Sequence, residues 1–178
     1  MKIRRTFPAL LMLLLAITMA TTQSSSATAP DNGSSAFGQG GFNFLVFRDV
    51  PRVENWGFSF DVMANKKGNA RGRAIFDISS GQDHTQVVVK INCLEVRGSS
   101  GAASAVMTGI VLHSDNPNYP KRAEVVFAAE DNNNSPFFHF DIITPMFVIF
   151  EGFEGDCHDI GPPLAMFQQG IDAITIEP

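Results

Sequence analysis

Between Trp56 and Val62 the chain alternates without a break. Trp56, Phe58, Phe60 and Val62 are large and apolar, and Gly57, Ser59 and Asp61 between them are small or polar. A period of two sends successive side chains to opposite faces of an extended strand, so this run has one face for a core and one for water. A helix would scatter the same residues around its circumference. Asn65-Lys66-Lys67-Gly68-Asn69 follows, a cluster suited to a tight turn. Gly72, Ala74, Phe76 and Ile78 then alternate with Arg71, Arg73 and Asp77. Two alternating runs joined by turn residues predict a β-hairpin.

The remainder keeps this character. Ser79 to His84 is a polar turn, and Thr85 to Val96 is β-branched. Its apolar phase is odd through Val87, Val89, Ile91 and Cys93 and then even at Leu94 and Val96, which predicts a bulge or a strand buried on both faces. Arg97 to Gly101 turns the chain, and Ala102 to Leu112 is a strand with small residues at Ala103, Ala105 and Gly109. Strands are also expected at Arg122–Glu130, around Phe138, Phe140 and Ile142, at Phe147–Phe150 and at Ile171–Ile176. Leu164 to Gly170 holds one helical turn at most, and no stretch sustains a 3.6 period. The expected fold is all-β: an antiparallel up-and-down meander of about seven to nine strands, closing into a barrel or a strongly curled sheet. A β-sandwich is the alternative.

The first residues follow different rules. Lys2, Arg4 and Arg5 precede an uncharged apolar run, Ala9 to Ala20, and a short polar stretch ends in small residues at Ala27. Twelve apolar residues fall short of the about 20 a membrane-spanning helix needs, so residues 1–27 read as a signal peptide. Arg4-Arg5 has some likeness to a twin-arginine signal, but the strongly apolar core favours an ordinary n-region. Residues 28–41, rich in Gly, Ser and Ala, read as a flexible leader, and residues 42–178 as a single β domain. Gly38-x-Gly40-Gly41 lacks the strand and helix a phosphate loop requires. Removing Lys2, Arg4 and Arg5 from 13 basic residues leaves 10 against 18 acidic ones, a net charge of about −8. That sign argues against nucleic acid or an anionic membrane surface as partner. The expectation is a monomer, secreted or periplasmic, without a membrane span, its ligand or extracellular partner unidentified.

Ile91-Asn92-Cys93-Leu94-Glu95-Val96-Arg97-Gly98, the strand bearing Gly109, and Gly170-Ile171-x-x-Ile174 resemble a pattern in small exported bacterial proteins. The resemblance spans Trp56 to Ile176 in short motifs. It implies an all-β fold and carries no activity, cofactor or catalytic residue.

Chemistry is sparsely written. No HxH, HExxH or paired CxxC spacing announces a zinc site, and no GxSxG a serine nucleophile. No metal or other cofactor is expected. Asp156-Cys157-His158-Asp159 is the most varied tetrapeptide. Neighbours in an extended segment face opposite ways, so Cys157 reads as a disulfide half rather than a nucleophile beside its base. Cys93 and Cys157 are the only cysteines in an exported chain, and a bond between them is expected. The odd phase of Cys93 is the obstacle, because it aims Cys93 into the core and away from Cys157. Asp61, Asp77, Glu124 and Asp141 read as one solvated face. Lys66, Lys67, Arg71 and Arg73 read as a charged hairpin end guarding a β edge. Phe137, Phe138, Phe140, Phe147, Phe150 and Phe153 are assigned chiefly to core filling. Asp131 to Ser135 reads as a polar turn rather than a calcium loop, having one carboxylate and three Asn. Asn32-Gly33-Ser34 and Asn133-Asn134-Ser135 match the N-glycosylation pattern.

No catalytic residue emerges. The leading reading is an exported non-enzymatic β domain with a binding or structural role. A small apolar-ligand carrier barrel is the second. A hydrolase is the third, for which His139, Asp141, Asp156 and His158 are the candidate polar cluster.

Overall fold

The computed structural model describes residues 33–46, 52–66, 69–99, 102–133, 141–149, 157–160 and 174–178. Among them nine strands form one antiparallel sheet: β1 (Ser35–Val46), β2 (Arg52–Ala64), β3 (Asn69–Ser80), β4 (Asp83–Ser99), β5 (Ala102–Ser114), β6 (Glu124–Asp131), β7 (Ile142–Ile143), β8 (Phe147–Val148) and β9 (Ile174–Glu177). β1 to β6 are neighbours in chain order, β7 and β8 share the far edge of β6, and β9 returns to pair with β1. The sheet is a meander curled into a half-barrel, as the alternation predicts.

Local chemistry sets the hairpins. Asn65 Oδ1 accepts the Asn69 N–H at 3.2 Å and closes the β2–β3 turn. β3 and β4 are joined by Gly81 and Gln82 alone, and Gly81 has φ 64°, a geometry that suits a two-residue turn with Gly first.

The concave face is the core. Phe60 of β2, Phe76 of β3 and Phe127 of β6 are fully or almost fully buried. Phe127 reaches Phe76 at 5.0 Å and Phe60 at 6.0 Å between ring centroids, contacts that require the sheet to curl β6 back over β2 and β3. Edge and tilted pairs of this kind add roughly 0.5–1.5 kcal/mol beyond the burial itself.

The phase switch in β4 is a bulge. Ile91 pairs with Gly109 and Cys93 with Thr108, so Asn92 has no opposite number. Val87, Val89, Ile91 and then Leu94 enter the core, while Cys93 turns to the convex face. The extra residue removes Cys93 from the odd-phase face that the uninterrupted pattern assigned to it. A second irregularity leaves Leu112 of β5 unpaired and exposed.

Two sequence expectations need correction. Ser35 to Gly41, read as leader, is the first half of β1, paired with Gly57 to Met63. The alternation is hidden because glycine takes two inward positions. A Cβ on Gly38 would lie 2.6 Å from the Phe60 ring, and one on Gly40 would lie 3.1 Å from the Phe58 ring. Asp141, read as part of a solvated face, is fully buried. Its Oδ1 accepts the Asn132 N–H at 3.0 Å and its Oδ2 accepts the Ile174 N–H at 2.8 Å.

That last bond is half of a seam. Asp131 Oδ2 accepts the Ile176 N–H at 3.3 Å, and its Oδ1 takes the Asn133 N–H and side-chain amide. β9 therefore pairs with β1 through its ladder and with the β6–β7 end through two carboxylates. Side chains stand in for the missing strand contact and hold the two ends of the half-barrel together.

Candidate functional site

The sequence-predicted residues divide between two places. Cys93 and Cys157 are bonded, with Cα atoms 5.8 Å apart and a sequence separation of 64. After the bulge at Asn92, period two aims Cys93, Glu95 and Arg97 at the same convex face. Those three residues hold the turn at 157–160. The Glu95 carboxylate pairs with Nδ1 of His158, Arg97 Nη2 donates to the His158 carbonyl at 3.2 Å, and Arg97 Nε donates to Glu95 at 3.4 Å. Cys157 is fully buried between this turn and the sheet, with Val106 and Ala128 beside it. Asp141 belongs to the seam instead. The predicted cluster is thus split, His158 being held by Glu95 and Asp141 by backbone N–H groups. His139 and Asp156 lie outside the described residues, as do Lys67 and all of the phenylalanine set except Phe147. Phe147 is 45% exposed rather than core.

Two clefts flank His84 at the start of β4. The first, about 380 Å³, is the mouth of the half-barrel. Its polar groups serve one another. Glu54 is buried, and it accepts Arg52 Nη2 at 2.7 Å and Trp56 Nε1 at 3.1 Å. Asn116 Nδ2 donates to Thr85 Oγ1 at 3.1 Å, and Asn116 Oδ1 accepts the Asn118 N–H. Tyr119 stacks edge-on against Trp56 and donates to the Met146 carbonyl at 2.9 Å. This network is a polar plug over the aromatic core.

The second cleft, about 430 Å³, is a trough on the convex face of β1, β2 and β3. Register builds it. Gly41 faces Gly57 across β1–β2, and Gly57 faces Asp77 across β2–β3. One step along, Asn43 faces Asn55 and Asn55 faces Ser79. The glycines leave a floor of bare backbone and the amides form one wall. Gln86 Nε2 donates to Asp77 Oδ1 at 2.9 Å, and His84 Nε2 stands 3.8 Å from the same oxygen.

Gly57 is unlike its counterparts. A Cβ at Gly72 would lie 2.3 Å from the Asp61 carbonyl oxygen, and one at Gly109 would lie 2.4 Å from that of Lys90. Packing forbids a side chain at both. At Gly57 the nearest atom would be the Asp77 Cβ at an ordinary 3.5 Å, and its φ lies outside the left-handed region. Neither space nor backbone conformation demands glycine there, although glycine inside a strand costs about 0.5–1 kcal/mol. The sequence carried this signal as a glycine on the solvent phase between Trp56 and Phe58. Asn43 and Asn55 had no local signal, because cross-strand register alone makes them neighbours.

No helix among the described residues is long and apolar enough to cross a membrane. Compared with family models, curated proteins and solved structures, the chain matches none of them, and a reading of its function rests on its own geometry.

Proposed function

We propose that this chain is an exported, non-enzymatic β domain that binds an uncharged, hydroxyl-rich ligand of the saccharide class in the trough floored by Gly41 and Gly57. The observation that carries the reading is the glycine at position 57, which the fold does not require and which keeps the floor open. A bare backbone floor admits a flat sugar ring. The Asn43 and Asn55 amides each offer donors and an acceptor, a set that matches neighbouring hydroxyls. The negative net charge of the chain disfavours anionic ligands. Export is supported by the tripartite start of the sequence and agrees with a disulfide, which persists in oxidising compartments.

The rival readings find less support. A carrier would keep open the space that Phe60, Phe76 and Phe127 occupy. Of the cluster named for a hydrolase, both oxygens of Asp141 accept backbone N–H groups and His158 is paired with Glu95 on the convex face.

The test is a titration of isotope-labelled protein with a panel of neutral glycans spanning hexose, pentose and N-acetylated polymers. Backbone amide signals of Gly41, Asn43, Asn55 and Gly57 are expected to shift with one of them, and Gly57→Val is expected to abolish the shift. No response across the panel, or an undiminished response in Gly57→Val, overturns the proposal.

A further inference from the structure

The disulfide cluster shares no residue with the trough. We propose that Cys93, Cys157 and His158 bind a thiophilic divalent cation of the Zn²⁺ class when the disulfide is reduced. The two sulfurs and a ring nitrogen of His158 all lie within 4.8 Å of one another. A tetrahedral zinc site, with ligands at about 2.0–2.3 Å from the ion, places them about 3.5–4 Å apart. The β4 bulge and the turn at 157–160 therefore gather three suitable donors that can reach this spacing once the sulfur–sulfur bond opens. No local motif announces them, because the cysteines lie 64 positions apart.

Three features of the surroundings fit an ion. Glu95, hydrogen-bonded to Nδ1 of His158, supplies the carboxylate partner that metal-ligating histidines carry, and it fixes the ring. The sulfurs are sheltered, while His158 is exposed and leaves a path from solvent. Charges also balance: two thiolates and Glu95 offset a divalent ion and Arg97, which hydrogen-bonds to Glu95.

The chemistry is closed. A thiol or phosphine reductant delivers two electrons to the sulfur–sulfur bond. With two protons the bond becomes two thiols, and the reductant leaves oxidised. Ion binding then releases those two protons and adds two metal–sulfur bonds and one metal–nitrogen bond, with solvent free to complete the shell. Disulfide and ion are mutually exclusive ways of fastening the turn at 157–160 to β4.

The experiment is an anaerobic Co²⁺ titration of the full chain after reduction with an immobilised phosphine, followed by absorption. One equivalent should produce thiolate-to-cobalt charge transfer and the intense visible bands of a tetrahedral ion, and Zn²⁺ should displace it. His158→Ala, whose fold is checked in the oxidised form, should bind at least about tenfold more weakly, and Glu95→Gln about tenfold more weakly. Should reduction unfold the protein, the ion must restore the circular dichroism of the oxidised form. Absence of charge transfer, equal affinity in His158→Ala, or failure to restore the fold overturns the proposal.

Discussion

β2 and β4 are built from similar residues under different constraints. In β2, burial alternates from Glu54 to Ala64, and the convex face holds exposed Asn55, Ser59 and Asp61. In β4, Val87, Val88 and Val89 are buried in succession, and in β5 Ala105 to Gly109 are buried without a break. The concave faces are alike, since both line one core. The convex faces differ because the turn at 157–160 covers Cys93, Val106 and Ala128. A strand with one wet face must alternate. A strand covered on both sides is free to break phase, and β4 uses that freedom to deliver a cysteine to the outside.

Removing the cover should have the largest effect. Cys93→Ala with Cys157→Ala is expected to lose about 4 kcal/mol, the chain-entropy value for a loop of this length, measured by urea denaturation of oxidised protein. A loss near zero would mean that the turn at 157–160 is fastened by other contacts. Matched charges on the convex face sharpen the contrast further. Ala128→Asp, which buries a carboxylate under that turn, should cost roughly 3 kcal/mol, whereas Ser59→Asp should stay within about 0.5 kcal/mol. Equal costs would erase the distinction between the two halves. At the seam, Asp141→Ala leaves the N–H groups of Asn132 and Ile174 without their acceptor and should cost about 2 kcal/mol, with hydrogen exchange at Ile174 quickening first. Unchanged exchange there would show that β9 does not depend on the carboxylate. Glycines give the smallest and most diagnostic pair. Gly109→Ala should destabilise by about 1 kcal/mol or more, because the new Cβ meets backbone. Gly57→Ala should stabilise by about 0.5 kcal/mol, and a destabilised Gly57→Ala would remove the argument that this position is kept open for a ligand.

These differences also explain what the sequence could tell. The β2–β3 hairpin was legible from Trp56 to Ile78, because one wet face stamps its period on the residues. The break in β4 was legible as a phase switch at Cys93 and Leu94, but which residue bulged was not. That choice falls on Asn92 through pairing with β5, outside any local window. β1 was misread where Gly38 and Gly40 yield space to Phe60 and Phe58, a reason that exists only after the rings are placed. Asp141 was misread because the Ile174 N–H that justifies its burial arrives from 33 residues away. The cysteine pairing was legible by elimination. The trough was not, since its amides become neighbours only through register.

The seam has a consequence in time. β1 to β6 are joined in chain order by short loops, so each hairpin can close locally. The β1–β9 ladder joins residues as far apart as Ser35 and Glu177, a separation of 142. Closing a loop of that length costs about 2 kcal/mol more than closing one of ten residues. β9 is therefore expected to dock late, onto a meander already formed, with Asp131 and Asp141 acting after the main folding barrier. Changes at either carboxylate should hasten unfolding while refolding of the meander keeps its rate. On that expectation the two aspartates would govern how long the half-barrel stays shut rather than how quickly it forms.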